Sequence, residues 1–169
     1  MLKIVGTNTS AIGNLTIDEY VPVSFDVESS VLFEPFDWCY GDRQSDLFEL
    51  IIDRADGKIY RSTLVFTECE LIPVNYDICA NASVSNGLPL VDVSGVAKNT
   101  KIVNNLSPFR VLQSNDRFTV LFGDKMRPSQ CMQVGRVNFL VEEDMLIGIS
   151  FGPLTKQELE TIAIWDKYR

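Results

Sequence analysis

Leu47-Phe48-Glu49-Leu50-Ile51-Ile52-Asp53-Arg54 and Lys58-Ile59-Tyr60-Arg61-Ser62-Thr63-Leu64-Val65-Phe66-Thr67 flank Ala55-Asp56-Gly57, and the reading of this stretch decides the fold. Phe48, Leu50 and Ile52 alternate with other residues and share one face of an extended chain, the period of a half-buried strand. Asp-Gly between two such runs supplies positive φ, so Ala55-Asp56-Gly57-Lys58 reads as the turn of an antiparallel hairpin. Ile51 on the opposite face, with Thr63-Leu64-Val65-Phe66 on the return strand, predicts burial on both sides. The hairpin is therefore expected at the centre of its sheet.

Toward the N-terminus, Val21, Val23, Phe25 and Val27 alternate with Pro22, Ser24, Asp26 and Glu28, again a strand pattern. Pro22 has no amide to donate, so this strand is expected at a sheet edge or beginning at that proline. Trp38 and Tyr40 beside Asp37 read as a buried strand-end aromatic cluster, with a sugar-stacking platform as the alternative.

Toward the C-terminus, residues 75–100 are punctuated by Asn75, Asn81, Asn86, Gly87, Pro89, Gly95 and Asn99. They read as a long loop around one short strand, Leu88 to Val93, and loops of that length are uncommon and often functional. Two hairpins follow: Phe109–Gln113 with Arg117–Phe122, and Val134–Glu142 with Met145–Phe151 across Glu143-Asp144. In the second, Val137, Phe139 and Val141 are expected to face Ile147, Ile149 and Phe151. Thr155 precedes Glu158 by three positions, the capping-box signature of a helix start, and Pro153 stops the strand before it. Leu159, Ile162 and Ala163 form the predicted inward stripe, with Trp165 flanking it and Ile164 pointing elsewhere. Lys167 and Arg169 suit the negative end of the helix dipole. The sum is one mostly β (α+β) domain over residues 1–169: an antiparallel sheet built from hairpins, sandwich or half-barrel, with a C-terminal α-helix packed on it.

Composition narrows the function. Fifteen Lys and Arg stand against 23 Asp and Glu, giving a net charge of −8 and a pI near 4.5. A phosphate-binding surface needs clustered cations, so nucleic acid is disfavoured as a partner. No apolar run is long enough to cross a bilayer, and Met1-Leu2-Lys3-Ile4-Val5-Gly6 opens no apolar signal segment, which predicts a cytoplasmic protein. The chain has no histidine, which removes Ser-His-Asp and Cys-His triads and most zinc sites. Cys39, Cys69, Cys79 and Cys131 are scattered; they read as small hydrophobes in a reducing compartment, or as two disulfides if the protein is exported.

No catalytic residue, metal site or cofactor is expected. Asp53-Arg54-Ala55-Asp56-Gly57 lacks the closing bidentate Glu of a calcium loop. Carboxylate pairs such as Glu68 with Glu70, or Asp37 with Asp42, are of the right type for glycoside hydrolysis. The placement of the acids says more. Glu142-Glu143-Asp144 crowns a hairpin, Glu68 and Glu70 flank Cys69, Asp18-Glu19 precede a strand, and Asp77 lies in the long loop. Glu68, Glu70, Asp77, Glu142, Glu143 and Asp144 are accordingly the candidate partner-binding residues.

The run Val134-Gly135-Arg136-Val137-Asn138-Phe139-Leu140-Val141-Glu142-Glu143-Asp144-Met145-Leu146-Ile147-Gly148-Ile149, followed by Leu154-Thr155 and a helix, is similar to the closing hairpin of small cytosolic immunity proteins. These belong to bacterial contact-dependent and polymorphic toxin systems. The resemblance implies a non-enzymatic protein that binds one cognate toxin domain, often a nuclease, as a monomer forming a 1:1 complex. It transfers no individual binding residues. Carboxylates standing in for phosphates, or strand addition at the Pro22 edge strand or the 75–100 loop, would each serve such capture. A carboxylate-type enzyme acting on carbohydrate or another neutral substrate, and a phage or secretion assembly subunit, are the competing readings.

Overall fold

Alternating apolar side chains put about half of the chain into strands. The computed structural model describes residues 1–28, 33–124 and 127–168, without the Tyr168 side chain. In chain order the elements are β1 (Ile4–Asn8), β2 (Gly13–Thr16), β3 (Val23–Val27), β4 (Pro35–Tyr40), β5 (Asp46–Asp53) and β6 (Ile59–Thr67). There follow β7 (Leu71–Pro73), β8 (Ser83–Asn86), β9 (Leu88–Val91), β10 (Ile102–Asn105), β11 (Phe109–Gln113) and β12 (Phe118–Phe122). β13 (Gln130–Val134), β14 (Val137–Glu142), β15 (Met145–Phe151) and α1 (Lys156–Tyr168) complete the chain.

The strands form a six-stranded sheet of order β10-β4-β5-β6-β3-β2, a seven-stranded sheet of order β7-β11-β12-β15-β14-β13-β8, and a two-stranded β1-β9 ribbon. The first two face each other as a sandwich, and aromatic rings cross the gap. Phe25 meets Phe139 edge-on at 5.7 Å between centroids, and Phe48 meets Phe109 and Phe122 at 6.2 and 5.4 Å. The β5–β6 hairpin sits at the centre of its sheet, as its sequence predicts, and Gly57 takes φ 72° in the turn. An added Cβ at Gly57 would stand 2.1 Å from the Val91 carbonyl oxygen, because the β9 backbone docks against this turn.

Several expectations are corrected. Burial on both faces belongs to the seven-stranded sheet rather than to the β5–β6 hairpin. Leu112, Leu121, Cys131, Leu140 and Ile147 form a second apolar layer on its outer side, packed under Val74, Ile78, Cys79 and Ala82. The outer face of the six-stranded sheet is polar, with Arg61 paired to Asp26 and the Ser24 and Thr63 hydroxyls 3.4 Å apart. Of the two placements expected for the Pro22 strand, the start at the proline holds, with β3 beginning at Val23, and the edge position does not, because the short β2 pairs with it and takes the edge. The 75–100 stretch holds β8 as well as β9; β8 pairs in parallel with β13, which itself occupies the residues just before the predicted last hairpin. β7, β8 and β10 all join in parallel at sheet edges, so neither large sheet is purely antiparallel.

The β14–β15 register slips by one residue. Val141 pairs with Leu146 and Leu140 with Gly148, leaving Ile147 as the extra residue of a bulge. Ile147 therefore turns to the outer layer, while Leu146, Ile149 and Phe151 enter the main core.

The helix begins as its capping box dictates. The Thr155 amide donates to a Glu158 carboxylate oxygen at 2.7 Å, and the Glu158 amide donates to the Thr155 hydroxyl at 3.2 Å. Its buried stripe is Leu159, Ile162 and Trp165, with Trp165 set edge-on to Phe118 at 6.3 Å; Ala163 faces outward. Trp165 is thus an anchor rather than a flank. Arg169 lies outside the described residues. No helix among the described residues is long and apolar enough to cross a membrane.

Candidate functional site

The predicted acidic residues fall in three different turns. Glu68 and Glu70 are exposed where β6 ends and the chain crosses to β7 in the other sheet. That crossing is held by the loop before β5. The Asp42 carboxylate accepts the amides of Gln44, Ser45 and Asp46 and the Ser45 hydroxyl, which holds its pKa well below the usual carboxylate range. Asp46 in turn accepts the Thr67 hydroxyl and the Glu68 amide. Asp42 and Asp46 therefore join Glu68 and Glu70 on one rigid corner. Sequence reading took Asp42 only as a partner for Asp37. The Asp-x-x-Ser-Asp spacing was the available signal for this corner.

Glu142, Glu143 and Asp144 make the β14–β15 turn, with φ of 51° and 62° at Glu143 and Asp144. The backbone of Asp144 accepts the Ile4 amide at 2.6 Å, and Lys3 bridges to Met145, so the N-terminal strand extends this hairpin. Asp77 is exposed on the segment that covers the outer face of the seven-stranded sheet, and its carboxylate accepts the Cys79 amide at 2.9 Å. The six residues are therefore dispersed over one molecule rather than gathered into a single pocket.

Some of the cations are taken up inside the fold. Arg54 donates to the Lys98 and Thr100 carbonyls at 3.0 and 2.7 Å while lying over the Phe36 ring. Arg110 and Arg117 donate to the Gly123 and Gly152 carbonyls at 3.0 and 3.1 Å. Arg136 grips Glu158 through both guanidinium nitrogens at 2.9 and 2.8 Å, Arg61 pairs with Asp26, and Lys58 pairs with Asp56 at 3.0 Å. These cations are engaged within the fold, while Glu19, Glu34, Glu68, Glu70, Asp77 and Asp144 face water. Lys3, Lys98, Lys101, Arg127 and Lys156 are exposed as well, so both signs reach the surface, with carboxylates in excess by the net charge of −8.

The aromatic pair proposed as a sugar platform is split. Tyr40 is fully buried and stacked on Phe122, and only Trp38 reaches a groove. That groove, about 570 Å³, is lined by Leu2, Lys3, Trp38, Asp92, Val96 and Val103 among others. Asp92 is its one acidic lining residue, and it accepts the Ser94 amide at 2.9 Å. The two facing carboxylates that glycoside hydrolysis requires are not present in this groove. Asp53, in the stretch that resembles a calcium loop, is turned inward and accepts the amides of Phe33, Glu34 and Ala55. Among the described residues no three acids or thiols are arranged to hold a metal ion.

No family model matches the chain, and no curated protein matches it significantly.

Proposed function

We propose that this chain is a non-enzymatic binding protein that captures a basic protein domain. Its specific role, in this reading, is immunity: it binds a cognate nuclease-type toxin domain and occludes the active site or substrate groove. The supporting observation is the excess of carboxylates in a chain of net charge −8, with Glu68, Glu70, Asp77 and Asp144 facing solvent in turns. A nuclease must present cations where it holds phosphate, and fixed carboxylates can occupy the same positions with little ordering cost on binding. In the corner built from Asp42, Asp46, Glu68 and Glu70, side-chain hydrogen bonds from Asp42 and Asp46 hold the backbone of residues 44–46 and 68. A monomer forming a 1:1 complex in the cytoplasm, where such a toxin would act, completes the proposal.

Co-expression tests it. Cells making the toxin domain encoded beside this gene should survive when this chain is also made, and the two should copurify as a 1:1 complex. Continued killing with no complex would overturn the proposal. So would a large symmetric oligomer of this chain alone, the behaviour of an assembly subunit.

A further inference from the structure

The outer apolar layer of the seven-stranded sheet contains two of the four cysteines. Cys131 lies on β13, is fully buried, and points to the same side as Leu112, Leu121 and Leu140. Cys79 lies on the segment that covers this layer and is only partly buried. The covering segment is fastened at both ends. Val74 donates to the Gln113 carbonyl at 2.9 Å and Ser83 to the Ser129 carbonyl at 3.0 Å, and Ala82 folds back onto the Cys79 carbonyl at 3.0 Å. This tethering packs Cys79 against the apolar layer that holds Cys131, where the two thiols act on one another.

We propose that Cys79 and Cys131 are a reversible disulfide site that closes under peroxide and fixes the 74–82 segment to the sheet.

The chemistry is asymmetric. The Cys79 S–H donates toward Cys131, which raises the Cys79 pKa and lowers that of Cys131, so Cys131 is the thiol that ionises first. The Cys131 thiolate is the nucleophile, and a small oxidant reaches it past the partly exposed Cys79. It attacks one oxygen of hydrogen peroxide, the O–O bond breaks, and a Cys131 sulfenic acid forms with hydroxide, which takes up the proton that Cys131 gave up and leaves as water. The Cys79 sulfur then attacks the Cys131 sulfur, the S–S bond forms, and the sulfenic oxygen leaves as a second water with the Cys79 proton. Two electrons pass from the thiol pair to the peroxide, and a dithiol returns them.

The remaining cysteines are placed differently. The Cys39 thiol is held at about 11, first by burial and then by the nearby Glu49 carboxylate, and it sits in the six-stranded sheet. Cys69 directs its thiol at the Phe109 carbonyl, 3.7 Å away. Closure of the pair would also hold Asp77, two residues from Cys79, in one position.

The test treats the folded full-length chain with hydrogen peroxide, then denatures it, alkylates it and maps its peptides without reduction. The expected result is a fall from four free thiols to two, a single Cys79–Cys131 linked peptide, and return to four on dithiothreitol. The Cys79→Ser variant, altered at a partly exposed position, should show native circular dichroism and no linked peptide. Four thiols still free after oxidation, a bond to Cys39 or Cys69, or over-oxidised Cys79 beside a free Cys131 would each overturn the proposal.

Discussion

Tyr40 and Phe122 stack face to face between the two sheets, with ring centroids 3.9 Å apart and planes within 1° of parallel. Tyr40 ends β4 and Phe122 ends β12, so this contact joins the last inward position of one strand in each sheet. The Tyr40 hydroxyl is fully buried near the Trp38 indole and the Leu2 backbone, without a well-formed hydrogen bond to either, and burial holds its pKa well above the usual phenol range.

The stacking therefore stabilises through ring area and not through the hydroxyl. Phe122→Ala and Tyr40→Ala are each expected to cost about 3–5 kcal/mol, the usual range for emptying a buried aromatic site. Tyr40→Phe removes a poorly satisfied polar group and is expected to change stability by less than about 1 kcal/mol, in either direction. Urea unfolding of the three variants measures both numbers, and a Tyr40→Phe loss as large as that of Tyr40→Ala would refute the assignment.

The cap of α1 gives a pH signature. The Arg136 guanidinium, followed by the Thr155 amide and hydroxyl, pulls Glu158 from its ordinary 4.5 to about 2. The unfolded chain takes up this proton near pH 4.5 and the folded chain resists until about pH 2. The contribution is thus fully present above pH 4.5 and disappears as pH falls through the folded value. Glu158→Gln should lower stability by about 1–2 kcal/mol at pH 7 and by progressively less below pH 4.5, converging with the native chain near pH 2. Thermal melts of the two proteins from pH 2 to 7 check this.

Asp53 offers a buried counterpart. Burial alone would raise its pKa, and the amides of Ala55, Phe33 and Glu34 outweigh that and lower it. Asp53→Ala strands those donors, each at about 1–3 kcal/mol where water cannot reach, and should destabilise by more than about 2 kcal/mol. Calcium addition should leave the melting temperature of the native chain unchanged, because the carboxylate is already turned onto these amides. A calcium-dependent rise would show that the stretch 53–57 binds the ion after all.

Helix docking separates two neighbouring residues. Trp165 is 6% exposed and Ile164 is 45% exposed. Trp165→Ala should cost about 3–5 kcal/mol and Ile164→Ala less than about 0.5 kcal/mol, measured by chemical denaturation. Equal effects would contradict the docking described here.

The parts of this architecture that were legible in sequence are those whose signal is local. Asp56-Gly57 announces its turn, Thr155 and Glu158 announce their helix, and Phe48, Leu50 and Ile52 announce their face. The strands β2, β7, β8 and β10 were not legible, because each is only three or four residues long, and the pairing of β7, β8 and β10 is set by a distant strand. The bulge at Ile147 was also hidden, since Ile147-Gly148-Ile149 alternates like any regular strand and only the partner register turns Ile147 outward. At the surface, the acids could be counted but the engagement of Arg54, Arg110 and Arg117 by carbonyls could not. Those acceptors lie 13 to 46 residues away along the chain.

The most direct measurement is the salt dependence of association between this chain and its proposed basic partner, sought as the product of the neighbouring gene, by surface plasmon resonance. The account predicts an association rate that falls at least about tenfold between about 0.05 and 0.5 M salt. It further predicts that the Glu68→Lys/Glu70→Lys double variant lowers that rate and flattens its salt dependence while leaving the fold intact. A salt-independent rate unaffected by the double variant, or the absence of any binding, would contradict electrostatic capture of a basic partner.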